Sequence, residues 1–303
     1  MPRKTQPGEA GSIALLALWG LVIIGLLLAV ALRTTRTELR ITENTVGLAR
    51  ARQAAEAGTQ LGLSRLLQRR AQGTMRFDGA PERWQDGTVS VDIAIIDEAG
   101  KIDINLAPIE MLSGLLHAVG RPAEEAQLIA CNILDRRGDS GPSCPEPFAA
   151  SNTQPRMFLV PEDLAEVVGM TGPLYEAIAD YVTVATKASA IDPFAAQRPV
   201  LLAIPGATAS LVDSYLEERS RWHDMTGVDT ASALLNGIPS IMTSPARDFT
   251  IEAIAVVGGQ LRYRADLQVR LTDFAARPYT FVALRAPPPE RGRTPIAAPP
   301  RVP

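Results

Sequence analysis

The chain has 303 residues, is 46% hydrophobic, carries a formal net charge of −3, and contains only two cysteines and two histidines. That charge gives no general pull toward nucleic acid, and so few Cys and His leave little for metal or nucleophile chemistry. The length accommodates a membrane helix with one or two folded units beside it. With no Gly-x-Ser-x-Gly elbow, phosphate loop or His-Glu-x-x-His run in the sequence, the chain is expected not to be an enzyme.

Arg3 and Lys4 precede Gly11, and an uncharged apolar run from Ile13 to Leu32 follows. About 20 apolar residues at 1.5 Å each cross the roughly 30 Å hydrocarbon core, so residues 12–32 read as a transmembrane segment. A secretory signal would place small residues and a cleavage site after the apolar core. Here Arg33, Arg36, Glu38, Arg40 and Glu43 follow instead, with no proline until Pro81. Residues 12–70 therefore read as one helix of about 85 Å, most of it outside the bilayer. Arg33, Arg36 and Arg40 beyond Leu32 outnumber the basic residues Arg3 and Lys4 before it, so the positive-inside rule leaves orientation open. From Thr45 to Leu67, residues such as Val46, Leu48, Ala55, Leu63 and Leu66 make an imperfect apolar stripe, a face made to pack.

Thr88 to Asp97 alternates with period two and reads as a half-buried strand. Glu98 to Lys101 reads as a turn, and Ile102 to Ile104 as the returning partner strand. The stretch from about Pro108 to Ser240 has helical patterning. Within it Ile191-Asp192, Ala196 and Leu201 echo Ile102-Asp103, Ala107 and Leu112 at one constant offset. Asp, Asn and Pro at such places are helix-entry chemistry, so two packed helical lobes are expected without any ligand. His117, within Leu115-Leu116-His117-Ala118, reads as a partly buried helix residue, and His223 as a loop residue. Phe249 to Val257 and Leu261 to Leu271 read as a hairpin turning at Gly258-Gly259, with Tyr279 to Leu284 as a further strand. Sheet-forming sequence thus lies on both sides of a helical unit. The proline-rich segment from Ala286 reads as a polyproline-like, disordered tail.

Gly11 followed by Ser12-Ile13-Ala14-Leu15-Leu16-Ala17-Leu18-Trp19 resembles the type IV prepilin leader. The resemblance implies cleavage after Gly11 by a prepilin peptidase on the cytoplasmic side, and methylation of the new amino terminus at Ser12. Leu16 departs from the glutamate that most such proteins carry there. A carboxylate in lipid is costly without a partner, so leucine suits a subunit at the end of an assembly. This departure, with Ala14 to Trp19, is similar to the K-type minor pseudopilins of the type II (general) secretion pathway. Later landmarks of that family are matched in order by Ala99-Gly100-Lys101-Ile102-Asp103-Ile104-Asn105-Leu106-Ala107-Pro108, Leu159 to Leu164, Val168 to Thr171, Leu201 to Gly206 and Phe249 to Ala253.

The resemblance implies an α+β fold: a pilin-like long N-terminal transmembrane helix packed on an antiparallel sheet, with a large inserted all-α domain. The expected division is a leader over 1–11, the helix over 12–70, an αβ unit from 71–107 and 240–285, the insert over 108–239, and the tail over 286–303. It further implies a single-pass protein of the bacterial inner membrane, periplasmic beyond its helix, at the tip of the pseudopilus. The implied partners are the I-type and J-type minor pseudopilins, the major pseudopilin and the prepilin peptidase. The exposed lobe would meet exported protein or the outer-membrane secretin.

Members of the K-type family carry calcium in the inserted domain. Here the loop from Asp135 to Arg156 offers only Asp135, Asp139 and Glu146, whereas calcium takes six to eight oxygen ligands. A calcium site completed by carbonyls and a plain solvated loop both stand as readings. Cys131 and Cys144 flank the loop, and in a periplasmic protein two cysteines are expected to pair. Closing about 15 residues in this way stabilises by about 3 kcal/mol. Leu201 to Arg219 also resembles a helix-hairpin-helix, which elsewhere presents amides to DNA phosphates. The alternatives to a pseudopilin are therefore a membrane-tethered DNA-binding protein of an uptake system and a minor type IV pilin. Phosphate binding wants Lys or Arg nearby, and Asp213, Glu217 and Glu218 oppose Arg219 and Arg221, which favours a packing unit.

Overall fold

The computed structural model describes residues 9–72, 79–139, 144, 156–221, 247–274 and 276–286, with the backbone alone for 9–14, 29–42 and 221. Helix α1 runs Glu9–Gln72, 64 residues, or about 95 Å at 1.5 Å per residue. Arg69 and Arg70 in its last turn complement the helix dipole. The side chains of Leu15, Leu16, Trp19, Leu21 and Leu26 are exposed. Among the described residues no helix is long and apolar enough to cross a membrane.

The second half of α1 lies on a five-stranded antiparallel sheet with strand order β1-β2-β5-β6-β7. Its strands are β1 (Glu82–Asp86), β2 (Val89–Asp97), β5 (Asp248–Val257), β6 (Leu261–Leu271) and β7 (Tyr279–Arg285). Ala55, Leu63 and Leu66 of α1 are buried against Val91, Ile93, Phe249, Ile251, Ala253, Leu267 and Val269. Glycines bring the helix this close. A Cβ on Gly58 would sit 2.7 Å from Val91 Cγ1 and 3.0 Å from Ala253 Cβ, and one on Gly62 would strike Ile251. At the sheet edge β1 is exposed along its length. It is tied down by pairing with β2, by Arg65 and Arg69 on Glu82, and by Arg83 on Asp92.

Neighbours β2 and β5 are far apart in sequence: Asp97 lies opposite Phe249 and Val89 opposite Val257. The helical unit is let in between them. It contains α2 (Ile109–Ala118), α3 (Ala123–Arg137), α4 (Gly172–Ile178), α5 (Arg198–Leu202) and α6 (Ala209–Arg221), with short 3-10 turns at Pro161–Glu166 and Ala179–Tyr181. Among the described residues its core, which includes Ile102, Met111, Leu115, Ile129, Leu164, Leu201 and Tyr215, shares no buried residue with the core under α1.

Ile102 to Ile104 do not return along β2 as the pattern suggests. Asp97 Oδ1 accepts from Ala99 N (2.9 Å) and caps a 3-10 turn over Glu98–Gly100 that steers the chain out of the sheet. Wholly buried Ile102 and Ile104 then join the helical core. The two-residue strand β3 (Ile102–Asp103) instead pairs in parallel with β4 (Val182–Thr183).

The echo at Asp103 and Asp192 is a repeated structure. Asp103 Oδ1 accepts from Asn105 N (3.0 Å) and its carbonyl from Ala107 N (2.8 Å). Asp192 does the same with Phe194 N (2.9 Å) and Ala196 N (3.0 Å). Each turn is closed by an arginine from the second helix of its own hairpin. Arg137 of α3 donates to the carbonyls of Ile104 (2.8 Å) and Ala107 (2.9 Å). Arg219 of α6 donates to those of Pro193 (2.8 Å) and Ala196 (2.6 Å). The first helices of the two copies touch: a Cβ on Gly114 of α2 would lie 2.6 Å from the carbonyl oxygen of Ala203, just past α5.

Candidate functional site

The surfaces through which this chain can act are the free part of α1, the outer face of the helical unit and the junction beneath it. At the start of α1 the backbone is already helical at Gly11 and Ser12. The apolar side chains that follow from Leu15 to Leu28 have no covering partner among the described residues.

On the helical unit, Cys131 of α3 is joined to Cys144 by a disulfide with Cα atoms 5.5 Å apart. Glu146 lies outside the described residues. Of the other candidate calcium ligands, Asp139 Oδ2 sits 2.7 Å from Arg137 Nε, so a guanidinium occupies the position a cation would take. Among the described residues no cluster of three or more His, Cys, Asp or Glu side chains is placed to hold a metal. Asp135 and Asp139 alone fall well short of the oxygen count calcium needs, so the described donors do not fit that ion.

The hairpin formed by α5 and α6 turns at Gly206, whose φ of 85° is left-handed. Its described cations are engaged within the protein. Arg198 Nε and Nη2 hold Asp213 at 2.7 and 3.2 Å, and Arg219 binds the two carbonyls of the Asp192 turn. His117, exposed, has Nδ1 2.9 Å from the carbonyl oxygen of Arg121; His223 lies outside the described residues. Apolar side chains at Leu128, Met157, Leu159 and Val168 are exposed on this unit, Leu159 by 80%.

The junction concentrates buried charge. Burial pushes the Glu98 carboxyl up, but Lys101 and the hydroxyls of Thr183 and Thr250 outweigh it and hold the group below its ordinary range. Lys101 Nζ and Thr250 Oγ1 each lie 2.7 Å from Glu98 Oε1. Asp97 has no such cation: burial, with the charges of Asp192, Glu98 and Asp248 added, pushes it up to about 8 against the single amide of Ala99. Burial raises Asp192 to about 6, restrained by the Phe194 amide and Arg219. Burial also raises Asp248, opposed by Arg270, whose Nε is 2.7 Å from Asp248 Oδ1. None of Glu98, Asp248 and Arg270 stands out in the sequence, because a buried ion pair leaves no periodic signal.

In class, this is a mixed protein in which a long N-terminal helix lies on an antiparallel sheet and a helical unit interrupts the sheet between two adjacent strands. The same fold occurs in a chain of the crystal structure of the GspK-GspI-GspJ complex from the enterotoxigenic Escherichia coli type 2 secretion system. The match has a TM-score of 0.54 and covers 83% of this chain and 98% of that one, at 16% identity. No family model matches the sequence, and no curated protein does.

Proposed function

We propose that this chain is a K-type minor pseudopilin: a non-enzymatic subunit at the tip of a type II secretion pseudopilus, anchored in the inner membrane by residues 12–32. The observation that carries the reading is the fold shared over 98% of a chain from a complex of three secretion-system components. The prepilin-like junction at Gly11 and Ser12 supports it independently. In this reading α1 packs among the helices of I-type and J-type minor pseudopilins, and the helical unit, too bulky to sit beneath another subunit, starts the filament. The major pseudopilin is then added below, and the exposed lobe faces exported protein or the secretin. The engagement of Arg198 and Arg219 within the hairpin argues against the DNA-binding alternative.

Two measurements test the reading. Intact mass and amino-terminal sequence should show a chain starting at methylated Ser12 only in cells with a prepilin peptidase. The processed protein should also co-purify in fixed stoichiometry with I-type and J-type partners. An uncut chain, under conditions that process a control pseudopilin, would sink the proposal.

A further inference from the structure

We propose that the junction between the sheet and the helical unit is a hinge closed by a polar clamp, so that the helical unit can reorient on α1 without opening either hydrophobic core. The inference rests on the fold and side-chain geometry alone and stands or falls separately from the secretion reading.

Two rigid bodies fixed by apolar burial share a core, and here, among the described residues, the two clusters of buried apolar residues are disjoint. Polar groups cross the gap instead. Thr250 of β5 donates to Glu98 Oε1, which also receives Lys101. Arg270 of β6 pairs through Nε with Asp248 and donates from Nη2 to the carbonyl of Ala185 (3.0 Å), in the loop after β4. Asp192 N donates to the carbonyl of Ala99 (2.7 Å), tying the second repeat to the exit turn. At the outer margin Arg285 of β7 faces Glu162 at 3.6 Å.

The loop after β4 is held under tension. Lys187 has φ of 52°, the one non-glycine residue with positive φ among the described residues, a conformation that persists only where its surroundings enforce it. The enforcing group is Asp103, whose Oδ2 accepts from Thr186 Oγ1 (3.1 Å) and Lys187 N (2.8 Å). Hydrogen bonds are short-ranged and directional, so losing a few of them releases the loop at once. Apolar packing yields only as area is exposed. A joint built this way has two arrangements of the same folded halves, the structural basis of domain rotation about a hinge.

The test uses the full chain in detergent, with spin labels on non-natural residues replacing exposed Asp86 and Glu124, which leaves Cys131–Cys144 intact. One narrow distance distribution is expected for the parent. Thr250→Val and Arg270→Gln should each broaden or displace it. In both variants amide exchange at Ala99, Lys101 and Asp192 should accelerate about ten-fold, while Leu115 and Ile251 keep their protection. An unchanged distribution in both variants would overturn the hinge. So would joint loss of protection at Leu115 and Ile251, because the junction would then belong to one cooperative unit.

Discussion

Asp97 and Asp192 give folding a pH dependence whose sign follows from burial. In the unfolded chain each carboxyl ionises near 3.8, and in the fold they ionise near 8 and 6 respectively. The folded state therefore binds protons more tightly. Their contribution to stability is complete below the unfolded value and is lost as pH rises through the folded ones. Glu98, held below its ordinary value, acts in the opposite sense and loses its contribution on acidification. We expect stability from denaturant titrations to fall from about pH 4 to about pH 8, with both aspartates contributing up to about pH 6 and Asp97 alone beyond it. Asp97→Asn, which can still accept from Ala99 N, should flatten that fall. A parent curve that is level across this range would show that neither aspartate holds its proton. Arg137 and Arg219 are the other decisive single residues. Arg137→Met should leave the buried carbonyls of Ile104 and Ala107 unbonded and cost about 1–3 kcal/mol, read as a lower urea midpoint. The two aspartates were legible as a sequence echo. Their arginines were not, since Arg137 and Arg219 stand at different distances along the chain from Asp103 and Asp192.

At the scale of elements, strands β2, β5 and β6 were legible because one face of each is buried and the other solvated, which writes a period of two into the sequence. Strand β1, Glu-Arg-Trp-Gln-Asp, is exposed throughout and has no buried face to leave a pattern. The helix stripe was read from its large apolar residues, yet Val46 and Leu48 are about half exposed. The closest approach to the sheet is made by Gly58 and Gly62, which a count of hydrophobic side chains ignores. Gly62→Val should force α1 away from Ile93 and Ile251 and cost about 1–3 kcal/mol, measurable as a drop in Tm while the chain stays helical by circular dichroism. The Cys131–Cys144 link, 13 positions apart, restrains the unfolded chain. Replacing both cysteines with serine should remove about 3 kcal/mol, detectable as a lower denaturation midpoint.

For the whole molecule, the order of sheet-forming and helical sequence pointed to a unit inserted into a sheet, but not to where the insert joins. That point depends on the Asp97 cap and on the parallel pairing of β3 with β4, each only a residue or two long. A chain ending before Asp248 should retain the disulfide and the protection of Leu115. It should lose protection at Leu63 and Leu66, which β5 and β6 cover in the full fold; hydrogen exchange would read both. Glu98 and Thr250 meet across 152 positions of chain, and the central pairing of the sheet spans the same interval. Closing so long a loop is entropically costly and slow. The helical unit, once formed, draws its two ends together and shortens that search. During synthesis, then, α1 emerges well ahead of β5 and β6, and its glycine face waits for them through the roughly 175 residues between Gln72 and Asp248, since translation delivers only about 5–20 residues each second. The Gly58 and Gly62 face of α1 is thus made early and buried late, which makes this interval its period of greatest exposure to aggregation and proteolysis.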